Sequence, residues 1–257
     1  MKSNTGFFPA CLGALLALII APASGLGDDN LAVNEILQKA QANYDAMLSY
    51  SDEGQVVTTM NGEVCTTLFT TRLARPNFYR IEWQQSDDVY HFVSDDQGQA
   101  VWSAGTINFL QTTSYPRWQY TRETALAQAS IFSTGATATL PRIFYHAQWS
   151  GEGEQLEGFG LVGRQQADEK LGRLDCYVFT HTVQGQSRTV WLDKESLLVR
   201  QVRTVTSAAA MQAALRTVTS EAPDLVVGYT SIETHTNIQV NLPLTRSDFL
   251  PTFTGWH

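Results

Sequence analysis

Hydrophobic and polar residues alternate along the segment between Cys65 and Trp102. One side of the predicted strand Cys65–Leu73 carries Cys65, Thr67, Phe69, Thr71 and Leu73. A corner at Arg75-Pro76-Asn77 follows, and the next strand, Phe78–Trp83, places on one side Tyr79, Ile81 and Trp83. Alternation with a period of two residues, interrupted by turns rich in Gly, Asp and Pro, predicts antiparallel strands with one apolar face. The short turns make this sheet a meander.

A long helix is predicted at Leu31–Leu48. Its apolar residues recur at helical spacing, at Val33, Ile36, Leu37, Ala40, Tyr44, Met47 and Leu48. Asp29 or Asn30 can cap the first turn. The opposite side is expected to face water, and it carries Asn34, Gln38, Gln41 and Asp45. A helix with a single apolar stripe needs a sheet or another helix to cover that stripe.

The second half of the chain returns to strands. They are predicted at Arg173–Val183, Ser187–Leu192, Leu197–Val205 and Tyr229–Asn241, with an Ala-rich helical segment at Ser207–Thr217. Two apolar segments, Arg122–Phe132 and Leu140–Tyr145, are too short for independent helices, so they must pack on the apolar face of the sheet. We therefore predict an α+β fold, in which a large curved antiparallel sheet of about ten strands has helices covering its concave face.

Residues 1–25 have the organisation of a secretory signal peptide. Lys2 gives a positive start, Phe7–Ile20 an apolar run, and Ala21–Gly25 small residues for cleavage. The alternative is an uncleaved N-terminal anchor, although the run is shorter than a typical membrane span of about 20 residues. We expect export to the periplasm, a single domain over residues 26–257, and no transmembrane segment once the leader is removed.

Charge and cysteines limit the partners and the covalent links. The formal net charge is −8, and removal of Lys2 makes it −9, which argues against nucleic acid and anionic lipid headgroups as partners. In an oxidising compartment Cys65 and Cys176 can form a disulfide. Their positions argue mildly against it, since Cys65 lies on the apolar side of its strand, whereas Cys176 lies on the side opposite Tyr177 and Phe179.

The sequence contains almost no motif that is typical of a catalytic site. Gly158–Gly163 fits G-x-G-x-x-G, but a strand pattern follows it, so we interpret it as a bend and not as a nucleotide site. No two histidines lie three or four residues apart, which argues against zinc. Asp87-Asp88 and Asp95-Asp96 lie in predicted turns. His181 and His235, each between two threonines, are expected to be ordinary strand residues. We therefore predict no catalytic residue, metal or cofactor, and no enzyme.

Large apolar side chains are the more informative group. Seven are expected on the covered face of the sheet, namely Phe69, Tyr79, Ile81, Trp83, Trp102, Tyr177 and Phe179. One interpretation is a plain filled core. The other is a trough that short helices fill incompletely and that takes up an apolar guest, so that these residues line a ligand site.

Several motifs resemble the LolA-like family of periplasmic outer-membrane lipoprotein carriers. They are the Arg75-Pro76-Asn77-Phe78 corner, Trp83, the segment Asp96–Trp102, and the closing strand Asn237–Asn241 before Phe249. Two further segments, Leu171–Tyr177 and Thr189–Asp193, resemble uncharacterised secreted proteins of this fold. The family's Pro-Pro-x-Gly ending is replaced here by Leu250–Phe253.

The resemblance implies an unclosed β-barrel with a helical lid over an apolar cavity. It also implies that Arg75 hydrogen-bonds the lid and holds it shut, and that the partner is a lipid or a lipidated protein. We therefore predict a monomeric periplasmic binding or carrier protein that shelters an acyl chain or another apolar ligand. The alternative is an envelope sensor or regulatory domain that binds a protein partner through the same scaffold.

Overall fold

The computed structural model describes residues 29–76, 78–85, 88–94, 100–105, 119–120, 139–146, 165–183, 185–218 and 226–249. The helices in these ranges are α1 (Asp29–Ala46), α2 (Leu140–Phe144), α3 (Ala208–Val218) and the 3-10 helix Arg246–Phe249. The strands are β1 (Ser49–Met60), β2 (Glu63–Ala74), β3 (Phe78–Gln85), β4 (Asp88–Ser94), β5 (Ala100–Gly105), β6 (Gln119–Tyr120), β7 (Gln165–Leu171), β8 (Leu174–Val183), β9 (Gln186–Asp193), β10 (Val199–Thr206) and β11 (Tyr229–Val240).

All of these strands belong to one 11-stranded sheet, in the order β6-β5-β4-β3-β2-β1-β11-β10-β9-β8-β7. The two meanders join where the first and last strands pair antiparallel, from Tyr50↔Val240 to Met60↔Tyr229. Because β6 and β7 stand at opposite ends of this order, the sheet is not closed. The predicted α+β fold with a large, unclosed antiparallel sheet is confirmed.

The helix α1 presents its apolar stripe to the sheet. Val33, Leu37, Ala40 and Tyr44 are each at most 2% exposed. Two expectations about this helix are wrong. Leu48 follows the end of α1 and is 70% exposed, so it does not belong to the stripe.

The second correction concerns Gln41, which was expected to face water. It is only 8% exposed, because α2 lies against that side of α1. Its Nε2 donates to the carbonyl oxygen of Ile143 at 3.1 Å and to Oδ1 of Asp45 at 3.0 Å. Both donations satisfy a side-chain amide that burial would otherwise leave without water.

The alternation predicted for β2 and β3 is confirmed. The buried members of β2 are Thr67, Phe69, Thr71 and Leu73, and those of β3 include Tyr79, Ile81 and Trp83. On the other side of β2, Val64 is 64% and Leu68 is 52% exposed. One face of this half of the sheet is therefore covered while the other meets solvent, as antiparallel sheets allow.

The strand β11 turns polar residues toward the covered face. Ser231, Glu233 and His235 are 8%, 7% and 3% exposed. Between the pairs Ser51↔Gln239 and Glu53↔Thr236 the register shifts, so that Asp52 of β1 opposes two residues of β11. This bulge changes which residues of β11 face the core. Before the bulge the odd-numbered residues are buried, whereas after it the even-numbered Ile238 packs against the core.

The cysteines do not form the disulfide that the sequence allowed, since Cys65 and Cys176 are both free. The reason is their place in the sheet. Cys65 lies on β2 and Cys176 on β8, with β1, β11, β10 and β9 between them in the strand order. Neighbouring strands are separated by about 4.8 Å, and the Cα atoms of a disulfide must lie within about 7 Å.

Some predictions fall on parts of the chain that lie outside the described residues. They are the leader at residues 1–25, the short helix at Arg122–Phe132, the Gly158–Gly163 motif and the ending Leu250–Phe253. Among the described helices, none combines the length and the apolar character that crossing a bilayer requires.

Candidate functional site

The site is built around α2, a helix of five residues that packs on the concave face. Its apolar side chains Leu140, Ile143 and Phe144 are at most 2% exposed. They join one buried cluster with residues of α1 and of strands from both halves of the sheet. A helix this short is not stable by itself, so its position is determined by what it touches.

Arg75 ties the C-terminal ends of α1 and α2 to the β2–β3 corner. Its Nε donates to the carbonyl oxygen of Met47 at 2.8 Å, and its Nη2 donates to the carbonyls of Tyr44 at 3.1 Å and Phe144 at 2.8 Å. Carbonyls at the end of a helix lack partners within the helix. One rigid guanidinium therefore binds three backbone acceptors from two segments of the chain.

The electrostatics of Arg75 fit this position. Burial lowers its pKa, and the nearby Asp45 opposes that change; an arginine remains protonated under such conditions. Its guanidinium carbon lies 4.6 Å from the centroid of the Phe144 ring, within the range of a cation–π contact.

Tyr145 fastens the same end of α2 to the sheet. Its hydroxyl accepts the backbone N–H of Ala74 at 3.2 Å and lies within hydrogen-bond distance of the carbonyls of Ala74, at 3.1 Å, and Phe78. Burial raises the pKa of Tyr145, so the hydroxyl keeps its proton. Arg75, Tyr145 and Gln41 together hold the C-terminal end of the helix.

The N-terminal end of α2 meets a buried group of charges. The hydroxyl of Thr139 donates to Oε2 of Glu233 at 2.7 Å and accepts from Nη2 of Arg188 at 3.2 Å. Oε1 of Glu233 lies 3.2 Å from Nε2 of His235. Two strands distant in sequence, β9 and β11, thus meet the N-terminal end of this helix.

His235 lies between two carboxylates. Its Nδ1 is 2.7 Å from Oδ2 of Asp52, and the Asp52 side chain is 0% exposed. The hydroxyl of Tyr50 donates to the same Asp52 oxygen at 2.9 Å. Burial opposes a charged imidazole, but the contacts with Asp52 and Glu233 outweigh it and raise the pKa of His235 to about 10. His235 is therefore an imidazolium at neutral pH.

This cluster was not expected from the sequence. His235 was expected to be an ordinary strand residue, whereas the structure buries it in an ion network; His181 is only partly buried. A signal was present: Glu233 and His235 share their side of β11 with Tyr229, which is 7% exposed. Charged residues on the same side of a strand as a buried aromatic residue indicate a polar group in the core.

The seven predicted cavity-lining residues are largely brought together. Phe69, Tyr79, Ile81, Trp83 and Phe179 are at most 3% exposed and belong to the same cluster as the helices, and Tyr177 packs against it. Trp102 lies on β5 opposite Phe92 of β4, and its side chain is outside the described part of the structure. Because β3 and β8 stand far apart in the strand order, their shared cluster shows that the sheet curves around the helices.

The polar side chains of the site contact the two ends of α2 and one another. Among the described residues no set of three His, Cys, Asp or Glu side chains could hold a metal ion. Asp52 and Glu233 lie on opposite edges of the His235 ring and do not converge on one point. What the arrangement does is hold a short helix against an apolar surface.

Comparison with known proteins gives structural neighbours only. No family model and no curated protein matches the chain. A DUF1329 family protein from Desulfovibrio piger aligns at 12% identity and TM-score 0.37, over 87% of this chain and 98% of that one. A putative outer membrane lipoprotein-sorting protein domain from Vibrio parahaemolyticus aligns at 13% identity and TM-score 0.35, over 84% and 94%.

A third neighbour is the MucA/MucB complex of Pseudomonas aeruginosa, at 11% identity and TM-score 0.42, over 88% of this chain and 61% of that one. The neighbours thus include a lipoprotein-sorting protein of the kind that the sequence motifs resemble. All three TM-scores are below 0.5.

Proposed function

We propose that the protein is a periplasmic binding or carrier protein that shelters an acyl chain or another apolar ligand against the concave face of its sheet. In this proposal α2 is a movable cover and Arg75 is its latch. The observation that carries it is the set of three hydrogen bonds from Arg75 to the carbonyls of Met47, Tyr44 and Phe144. One side chain thereby fastens both helices over the aromatic surface.

The surface under the cover suits an apolar ligand. Tyr79, Ile81 and Trp83 of β3 and Phe179 of β8 are buried beneath the helices. Transfer of about ten methylenes from water to such a surface is worth roughly 8 kcal/mol before the cost of ordering the ligand. Affinity then comes from burial and needs no charged contact, in keeping with an acidic protein.

The cover can move without unfolding the sheet. The contacts that hold the C-terminal end of α2 are hydrogen bonds from Arg75, Tyr145 and Gln41, and the helix has only five residues. Breaking these bonds exposes the apolar cluster, while the strand ladders on both sides stay intact. In the described part of the structure the helices cover this cluster, so such a movement gives a ligand access to it.

The direct test is to ask whether the mature chain binds lipid. The protein is purified from the periplasm and extracted with organic solvent, and the extract is analysed by mass spectrometry. Separately, a fluorescent fatty acid is titrated into delipidated protein. We expect saturable uptake that unlabelled fatty acid competes away. Absence of both bound lipid and uptake would refute the proposal, and capture of a stoichiometric envelope protein by the same sample would favour the sensor alternative.

A further inference from the structure

We propose that Glu233, supported by His235 and Asp52, is a second anchor of α2 that holds the N-terminal end of the cover through Thr139. This inference rests on the proposed function, because it assigns a regulating contact to the same cover. It makes Glu233 a positioning residue, since it acts on the ligand site through Thr139. The latch at Arg75 and the anchor at Glu233 then fasten opposite ends of one short helix.

The first observation is the direction of the Thr139 hydroxyl. Thr139 is the N-cap of α2 and is 3% exposed. An N-cap hydroxyl ordinarily accepts a backbone N–H of the first turn, but Thr139 makes no such bond. It donates instead to Glu233 across the sheet, at 2.7 Å. The hydroxyl therefore links the helix to β11 and does not stabilise the helix itself.

The second observation is the support behind Glu233. Its other oxygen lies 3.2 Å from Nε2 of His235, whose Nδ1 is 2.7 Å from Asp52. Asp52 in turn accepts the hydroxyl proton of Tyr50. In this chain of contacts Oε1 of Glu233 faces the imidazole of His235, while Oε2 accepts the hydroxyl proton of Thr139. A charge-assisted hydrogen bond donated to a carboxylate is stronger than one between neutral groups.

The third observation is the cost of the arrangement. Three ionisable side chains, Asp52, Glu233 and His235, are buried together in an otherwise apolar region. Buried ion groups of this kind contribute little net stability compared with apolar side chains of similar volume. Their contribution here is specific: they place one strong acceptor under the first residue of the cover. Arg188 adds a donor to the same hydroxyl from β9.

The length of α2 makes both anchors relevant to opening. Five residues of helix extend only about 7.5 Å, so neither end moves far while the other is held. Loss of either anchor is expected to increase the fraction of time that the cover is open. This can be measured without any ligand, by the hydrogen exchange of the backbone amides in the segment 139–146.

The test uses the full mature chain and the variant Thr139→Val, which keeps the shape of the side chain and removes its hydroxyl. Loss of one hydrogen bond to a charged group should speed exchange in the segment 139–146 by roughly tenfold. Thr139→Ser should restore the wild-type rate. The matched control is Thr58→Val, because Thr58 is also buried and its hydroxyl bonds Ser231 of β11, not α2.

Faster exchange confined to segment 139–146 in Thr139→Val, with wild-type exchange there in Thr58→Val, supports the anchor. Equal rates in wild type and Thr139→Val overturn it. If Thr139→Val fails to fold, Glu233→Gln, which keeps an acceptor oxygen and loses the charge, answers the same question. Hydrogen exchange and lipid uptake are separate measurements. Faster exchange in the segment 139–146, together with no lipid uptake by any variant, would refute the carrier function but not the anchor.

Discussion

Nη2 of Arg75 donates to the carbonyl oxygen of Phe144 at 2.8 Å, and the guanidinium of Arg75 also lies over the ring of Phe144. These two contacts join a side chain at the corner between β2 and β3 to the last residue of α2. The distance in sequence is 69 residues, so the pair exists only in the folded chain. In the proposed function this pair helps to keep the apolar face beneath α2 covered.

Removal of the Tyr145 hydroxyl should loosen the same end of α2. In Tyr145→Phe the backbone N–H of Ala74 loses its acceptor, and an unsatisfied buried amide costs about 1–3 kcal/mol. We expect the free energy of unfolding in urea to fall by an amount in that range. Tyr229→Phe is the matched control, because Tyr229 is only 7% exposed and its hydroxyl makes no hydrogen bond among the described residues. A loss of equal size in both variants would contradict the role given to Tyr145.

Alkaline pH should weaken the cluster around His235. Its pKa of about 10 in the folded protein lies above the value of about 6.5 for an unfolded chain. A raised pKa means that the stabilisation is complete below about pH 6.5 and is lost as the pH rises through about 10. Asp52 and Glu233 face the imidazole directly. Tyr50 is linked to it through Asp52, and Arg188 through Thr139 and Glu233.

The prediction is a fall in the free energy of unfolding between pH 7 and pH 10 in the wild type. His235→Gln should show a smaller fall over the same range, because its side chain does not titrate. Urea titrations at several pH values measure both curves. Parallel curves for the two proteins would show that His235 does not carry the pH dependence.

Acid should weaken the turn between β9 and β10. Burial of Asp193 favours its neutral form, but bonds from Ser196, Arg200 and the Glu195 N–H outweigh burial and lower its pKa. Its stabilisation is therefore present above the unfolded value of about 3.9 and is lost as the pH falls through the folded pKa. Asp193→Asn should lose about 1–3 kcal/mol of stability at pH 7. Asp175→Asn, whose side chain is 66% exposed, should change it little; equal losses would contradict this account.

The thiols of Cys65 and Cys176 should react at different rates. Cys65 is partly exposed and Cys176 is buried, and burial together with Asp193 raises the pKa of Cys176. A thiol reagent added to the native protein should modify Cys65 quickly and Cys176 only slowly or after unfolding. Cys65→Ser should remove the fast phase. If the native protein has no reactive thiol and two thiols become reactive after reduction, Cys65 and Cys176 form a disulfide after all.

The strands could be predicted because their pattern is local. In β2, residues two apart share one side, and the sequence alone identified Thr67, Phe69, Thr71 and Leu73 as that side. The corner at Arg75 was equally readable, since Pro76 interrupts the strand. The geometry around Arg75 agrees with what the resemblance implied, although its role in ligand release stays a prediction.

The rest could not be predicted because it depends on pairing between distant segments. Asp52 and His235 meet across 183 residues, in a register that a bulge shifts. A period of two residues shows which side chains share a face of β11 but not which face is covered. Gln41 was misplaced for a similar reason, since only the position of α2, 102 residues away, buries it.

The exchange of a bound fluorescent fatty acid, followed by stopped flow in wild type and Arg75→Leu, tests the central claim most directly. Arg203→Leu is the control, because Arg203 is exposed on β10. We predict faster release from Arg75→Leu, with the fold intact by circular dichroism and with Arg203→Leu unchanged. A variant that is less stable but releases the fatty acid at the wild-type rate would contradict the account of α2 as a latched cover.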